Sequence, residues 1–376
     1  MAAQHTPEAL TMGVEEEFFI VDAASSELAP RSDSLVVAAR DELGRAVTRE
    51  LNRCQVETAS AVCRTTDELH DDLVALRRGV QAAAAPLGLA VAAVATHPFS
   101  SWEDQEVAGD DRYQRLEDRY QVLARQQVIC GCHVHVGVPD ADVAIEVMNR
   151  SRGWLPALLA LSANSPYWHG VDTGFDSYRT EVWTRWPTAG VPPSFEGRED
   201  YDARVEELRA TGAIDDATHV YWHVRPSERW PTVEFRVCDV CLHVEDAVAV
   251  AALTRALVWT AREEARRGDA VSQRSHEALD AAVWRAARYG LGDELVDAED
   301  ERLRPAAEVV QQLVDHVADG LRAHGDLEHV QDRVGHILRQ GNGAEEQREL
   351  VASAGEDPRA VVGELVARTT SASTCR

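Results

Sequence analysis

The sequence predicts an α+β fold, a mainly antiparallel sheet with helices packed on one of its faces. Three observations carry this expectation. Segments of strand composition cluster before about residue 240 of the 376-residue chain. From His243 onward the pattern is largely helical, the arrangement expected when helices segregate to one side of a sheet. Finally, four of the strand segments carry ionisable residues on one face and apolar residues on the other, so only one face can be buried against helices. The length suits one large unit, read here as a single domain over 11–376. Its sheet lies mainly within 11–240, its helical part within 243–376, and residues 1–10 form a flexible N-terminus.

The first element is the run Gly13-Val14-Glu15-Glu16-Glu17-Phe18-Phe19-Ile20-Val21, strand-like in composition but carrying three consecutive carboxylates. An unpaired carboxylate in a core costs several kcal/mol, so compensating positive charge is required. Alternation places Glu15 and Glu17 on one face, where two carboxylates at i and i+2 suit a divalent cation. Glu16 points the other way and is expected to be peripheral. A helix follows over Ser32–Leu43, then a strand over Arg49–Thr58 containing Glu57. Thr65-Thr66-Asp67-Glu68 reads as a helix N-terminus, the helix running to about Ala85 and stopping before Pro86-Leu87-Gly88. Leu89–Ala95 is a short apolar strand, Arg112–Gln126 a helix, Val128–Val138 a strand, and Ala141–Ser151 and Leu155–Ser162 helices. The stretch from Asn164 to Phe195 is irregular and rich in Trp, Tyr, Arg, Gly and Pro, which suits either a functional loop or an aromatic-anchored surface loop. Strands return at Val220–Val224 and Thr232–Asp239. Helices then cover His243–Arg267, Ser275–Tyr289, Pro305–His324 and Leu327–Leu338.

Composition excludes several classes. Net charge is −26, from 64 acidic and 38 basic residues, and every basic residue is arginine. Such a chain repels nucleic acid and anionic membrane surfaces. No window has transmembrane length, and the N-terminus lacks signal-peptide regions. The seven cysteines fit reduced thiols in a cytoplasmic protein. Cys130-Gly131-Cys132-His133-Val134-His135-Val136-Gly137 and Cys238-Asp239-Val240-Cys241-Leu242-His243 invite a zinc reading, but strand geometry argues against it. Cys130 and Cys132 fall on the apolar face with Val134 and Val136, while His133 and His135 share the other face with Gly131 and Gly137. In the strand from Thr232, Val233, Phe235 and Val237 form an apolar face opposite Glu234 and Arg236. With Arg225, that strand offers a metal ligand flanked by anion clamps, although an ion pair on a solvated face would read the same way.

These motifs, in this order, resemble the carboxylate–amine ligases of the bacterial type-2 glutamate–cysteine ligase family. Ser162-Ala163-Asn164-Ser165-Pro166, Arg185-Trp186-Pro187-Thr188, Gly341-Asn342-Gly343-Ala344 and Gln347-Arg348 fit the same family, so the resemblance spans about Thr11 to Arg348. More distantly the arrangement is similar to the glutamine synthetase catalytic fold with its curved antiparallel sheet. The resemblance implies ATP-dependent amide formation, with the γ-carboxylate of glutamate phosphorylated by ATP and the acyl phosphate captured by the amine of cysteine. It implies Mg²⁺ or Mn²⁺ on Glu15, Glu17, Glu57, His133 and Glu234, with His135 near the phosphates. It assigns Arg225 and Arg236 to the transferring phosphoryl group, and Arg179 and Arg185 to the carboxylate of an amino-acid substrate. The same machinery acting on a different acid or amine, and a non-catalytic nucleotide- or metal-binding relic, are the alternatives. The helical C-terminal third is free to cover the sheet, to form a homodimer contact, or both.

Overall fold

The computed structural model describes residues 9–272 and 274–371. Most of the N-terminal segment 1–10, together with Cys375, therefore lies outside the described residues. The strands are β1 (Met12–Asp22), β2 (Val47–Arg49), β3 (Gln55–Ala59), β4 (Leu89–Ala92), β5 (Gly131–Gly137), β6 (Tyr167–Trp168), β7 (Val171–Asp172), β8 (Val224–Pro226), β9 (Thr232–Asp239), β10 (Glu294–Val296) and β11 (Leu303–Pro305). The main sheet runs β2-β3-β1-β5-β9-β8, with β4 also pairing to β1. Every pairing in it is antiparallel.

The helices are α1 (Ser32–Leu43), α2 (Thr66–Ala84), α3 (Asp111–Tyr120), α4 (Val122–Arg125), α5 (Ala141–Ser151), α6 (Leu155–Ser162), α7 (Tyr178–Trp183) and α8 (Arg198–Ala210). After β9 come α9 (Val244–Arg267), α10 (His276–Tyr289), α11 (Ala306–His316), α12 (Ala318–His324), α13 (Leu327–Gln340), α14 (Gly343–Ser353) and α15 (Val362–Thr370). Helix α2 starts as its residues dictate: Thr65 accepts from the Glu68 amide while the Glu68 carboxylate returns to the Thr65 amide. Among the described residues, no helix is long and apolar enough to cross a membrane.

Helices α2, α5, α6 and α9 cover one face of the sheet, where Val14, Cys132, Val134, Phe235 and Cys238 join their apolar side chains in one buried cluster. A second cluster holds Phe18, Ile20, Val56 and Val91 beneath α1, α2 and α15. The six described cysteines are free and buried. Cys132 and Cys238 sit directly opposite each other as core residues, and burial pushes the Cys238 thiol up to about 12.

Four expectations need correction. The single strand over Arg49–Thr58 is a hairpin, with β2 and β3 joined by Glu50–Cys54, because the Asn52 carbonyl takes the Gln55 amide and turns the chain back. The helix expected over Arg112–Gln126 breaks at Gln121, whose φ of +52° interrupts the ladder between α3 and α4. The strand expected at Val220–Val224 begins only at Val224, since Ala217–His219 forms a 3₁₀ turn and the His223 amide goes to the Gly190 carbonyl. The helix expected over Pro305–His324 is broken at Val317.

Glu16 corrects another. It is fully buried rather than peripheral, and Arg77 from α2 grips it at 3.0 and 2.5 Å. Arg77 also donates to the carbonyls of Cys241, Leu242 and Thr369, so one guanidinium ties β1 to the β9–α9 turn and to α15. The compensating charge demanded by the carboxylate run thus comes, on this face, from a helix. Breaking such a pair leaves an uncompensated buried charge. Arg77→Met should cost about 3–5 kcal/mol in urea unfolding. Adding Glu16→Leu to it should restore only part, because the three carbonyls stay without their donor.

Candidate active site

The opposite face of the sheet carries the ionisable groups, and the strand register brings them side by side. Across the ladders Glu17 faces Glu57, Glu15 faces His133, His135 faces Glu234, and Glu234 faces Arg225. Directly opposed residues in antiparallel strands share a face, so the five strands β3, β1, β5, β9 and β8 present these groups on one continuous floor. They line a cavity of about 370 Å³.

A β-bulge refines this floor. Cys132 opposes Cys238 and Val134 opposes Phe235, so Arg236 and Val237 together face the single residue His133. The extra residue changes the alternation and puts Asp239 opposite Gly131, on the cavity face, where strict alternation from Glu234 would have turned it into the core. There Asp239 accepts hydrogen bonds from the Asn164 amide at 2.9 Å and from the hydroxyls of Ser165 and Ser177 at 2.7 and 2.8 Å. Its carboxylate lies 3.9 Å from Arg179. The Arg179 guanidinium spreads over Gly131, where a Cβ would collide with it, and donates to the carbonyls of Arg236 and Val237 exposed by the bulge. Gly131 is therefore required for close approach of Arg179, while its amide donates to Glu17 at 2.6 Å.

Electrostatics divide the floor into two halves. Glu234 is clamped by Arg225 at 3.0 Å and by Arg236. Burial works to raise its carboxyl, but the two guanidiniums and both histidines outweigh it and hold it well below the carboxylate range. Burial likewise opposes ionisation of Glu15, and hydrogen bonds and charge from His133 and His135 reverse that, lowering it. The other half is acid-rich. Burial, then Glu50, pushes Glu17 up to about 8. Burial, then Glu15, Glu50 and Glu17, holds Glu57 well above its usual range. Burial, then the Arg236 charge, lowers His133 to about 4.

Those features fit a divalent cation. Three overlapping groups of donors lie close enough to share ions: Glu15, Glu57 and His133; Glu15, His135 and Glu234; Glu17, Glu50 and Glu57. Among the described residues none of these groups includes a cysteine. His133 Nδ1 lies 3.4 Å from Glu15 and His135 Nδ1 lies 2.9 Å from the Thr232 hydroxyl, while both Nε2 atoms are buried without a hydrogen-bond partner. A ring held through Nδ1 presents Nε2 as a lone-pair donor. Carboxylate oxygens joined by a minority of imidazoles suit Mg²⁺ or Mn²⁺ better than a soft thiolate metal.

Of the residues singled out from the sequence, Glu15, Glu17, Glu57, His133, His135, Arg179, Arg225, Glu234 and Arg236 line the same cavity. Arg185 does not line it; its guanidinium is held by Gln126 at 2.8 Å. Arg179 is 1% exposed and engaged by the bulge, which suits it to shape the floor. The sequence reading missed Glu50, Arg112 and Tyr113. Glu50 belongs to the third donor group and accepts from the Tyr113 hydroxyl at 3.3 Å. In a continuous strand, Glu50 and Glu57 would face opposite ways, and only the hairpin turn brings them together. Trp183 adds an aromatic wall beneath both Arg179 and Arg236, 5.5 and 5.2 Å from their guanidinium carbons.

The raised carboxyls set a pH signature. A group whose folded pKa lies above its unfolded one binds more protons when folded, so its contribution to stability falls as pH rises. For Glu17 the window runs from the unfolded value near 4.5 to about 8. A divalent cation replaces those protons. The rise in melting temperature produced by Mg²⁺ should therefore be small at pH 6, grow toward pH 8, and shrink at pH 8 in Glu57→Gln. Thermal scans with EDTA and with Mg²⁺ measure this directly.

Comparison with known proteins identifies the family of the chain. The sequence profile of "Glutamate-cysteine ligase family 2" matches residues 11–368. A protein of Streptomyces coelicolor named "Putative glutamate--cysteine ligase 2" is 43% identical over 366 residues, covering 96% of this chain and 99% of that protein. One of the same name from Rhodopirellula baltica is 39% identical over 364 residues, 96% of each. Among solved structures, the glutamate–cysteine ligase of Francisella tularensis in complex with AMP superposes with a TM-score of 0.67 at 12% identity, over 96% of this chain and 88% of that one. A bifunctional glutathione synthetase from Pasteurella multocida gives 0.69 at 15% identity, over 96% of this chain and 52% of that one. At such identities these two structures establish the shared fold alone. The sequence relationship goes further: the chain belongs to glutamate–cysteine ligase family 2.

Proposed function

We propose that this ligase is ATP-dependent and joins the γ-carboxylate of glutamate to the amine of L-cysteine through an acyl phosphate, within one catalytic unit over 11–376. The observation that carries the reading is the pairing on one floor of three cation-ready donor groups with the Arg225–Glu234–Arg236 clamp. A polyphosphate brought into a chain without lysine needs metal ions and arginines to balance its charge. Glu15, Glu17, Glu50, Glu57, His133, His135 and Glu234 would hold Mg²⁺ or Mn²⁺. When bound, the ions neutralise phosphate oxygens and orient them for in-line transfer.

The protein's own part is positioning and electrostatics. A γ-carboxylate oxygen attacks the γ-phosphorus of ATP, the bond to the β–γ bridging oxygen breaks, and ADP leaves. The amine nitrogen, as free base, then attacks the acyl carbon, and inorganic phosphate departs with its electron pair as the amide forms and the nitrogen loses a proton. Arg225 and Arg236, held rigid by Glu234, face the charge that develops on the transferring group. The buried Arg179 stabilises the floor and offers positive charge for a substrate carboxylate. Family membership and the names of the relatives support glutamate and cysteine as the substrates, and the AMP named in the Francisella tularensis complex supports an adenine nucleotide. This reading also sets the enzyme in the cytoplasm, where ATP is available.

An ADP-release assay with Mg²⁺ across a panel of acids and amines tests the reading. Turnover should require glutamate and be fastest with cysteine, whereas fastest turnover with another amine would change the substrate and keep the chemistry. No turnover with any pair would remove the ligase reading. Glu234→Gln should lower kcat by at least about 10²–10³-fold with an unchanged circular dichroism spectrum. Normal turnover in that variant would remove Glu234 from the site.

A further inference from the structure

A second cavity, of about 220 Å³, opens far along the chain from the ligase cleft and shares no lining residue with it. It lies where the end of α5 and the turn after it meet the end of α9, α10 and the end of α11. Arg152 stands in its wall, 3% exposed. Every other buried arginine among the described residues has a carboxylate within reach: Arg77 has Glu16, Arg179 has Asp239, Arg225 has Glu234, Arg255 has Asp326 and Arg274 has Glu301. Arg152 has none among them. It donates only to the carbonyls of Asn149 and Pro192, each at 3.3 Å, and burial, with no carboxylate to offset it, lowers its pKa.

A buried guanidinium without a counter-charge costs several kcal/mol, and a cavity beside it offers room for the missing anion. The other cations of the wall, Arg150, Arg274 and His316, each have a carboxylate within reach. Glu264 lies 3.8 Å from Arg150 and 3.6 Å from His316, and Arg274 lies 3.5 Å from Glu301. Among the described residues Arg152 is thus the one cation of the wall without an ion pair, while Glu264 and Glu299 would repel a polyanion. The planar fork of arginine matches a carboxylate bidentately. Beside it, Trp154 stacked on His316 at 4.7 Å, together with Leu279 and Ala298, makes an apolar wall. We infer that this cavity is a binding site for a small monocarboxylate, its carboxylate on Arg152 and its short apolar body against Trp154.

The full chain labelled with ¹⁵N-tryptophan reports on this site through the Trp154 indole resonance, identified by its loss in Trp154→Phe. Sodium propionate, titrated against sodium chloride at equal ionic strength, should shift that resonance saturably. Inorganic phosphate should bind at least about tenfold more weakly. In Arg152→Gln the shift should disappear. Ala298→Leu, which fills the cavity and keeps every charge, should abolish it as well, and serves alone if Arg152→Gln does not fold. A non-saturable shift, one matched by chloride, or one unchanged in the folded variants would overturn the proposal. Equal or tighter binding of phosphate would overturn its carboxylate class.

Discussion

The organisation of this molecule depends on strict alternation along β1. One strand must satisfy two layers, and three successive glutamates do so by pointing in turn to the cleft, to the core and to the cleft again. The inward residue, Glu16, is neutralised by a single helix-borne arginine that also gathers the β9–α9 turn and α15. Slipping the register by one residue would bury two carboxylates and strand Arg77. The pair therefore specifies register more than it adds stability, and every group on the cleft face inherits its place from that register.

On the cleft face the same logic is relaxed once, at the bulge in β9. The extra residue lets Glu234 and Arg236 keep the alternation while Asp239 is turned to the same side, where it gathers Ser165, Ser177 and the Asn164 amide. The irregular aromatic stretch that follows α6 is thus tied to the floor through a carboxylate re-aimed by a bulge, and Arg179 lies across the junction. Charge is distributed accordingly. The β8–β9 side keeps Glu234 ionised between arginines, whereas on the β3 side burial raises the carboxyls of Glu17, Glu50 and Glu57, so that a cation there would compete with protons.

What could be read from the residues alone follows from periodicity. Glu15 and Glu17, His133 and His135, and Glu234 and Arg236 each occupy i and i+2 in an uninterrupted strand, so alternation sufficed to put each pair on one face. Helix ends with explicit chemistry, such as the Thr65–Glu68 box, were legible for the same reason. Features set by long-range contact were not. Nothing local tells that Arg77, from α2, belongs to Glu16, 61 residues away. Glu50 was hidden by a turn within an apparent strand, and Arg112 and Tyr113 by the helix that carries them to the cavity rim. Arg185 shows the converse, a residue of suitable chemistry in a suitable loop that the fold directs to Gln126. Arg152 carries no sequence signal, because its lack of a carboxylate partner among the described residues exists only once the other arginines have found theirs.

The central claim, that this floor transfers a phosphoryl group to a carboxylate, is tested most directly by positional isotope exchange. ATP labelled with ¹⁸O in the β–γ bridge would be incubated with the enzyme, Mg²⁺ and glutamate in the absence of any amine. Reversible acyl phosphate formation predicts that the label scrambles into the non-bridging β positions of recovered ATP, only when glutamate and the metal are both present, and not in Glu234→Gln. Recovery of unscrambled ATP under conditions where ADP release and rebinding are shown to be reversible, with amide still formed once cysteine is added, would contradict the account.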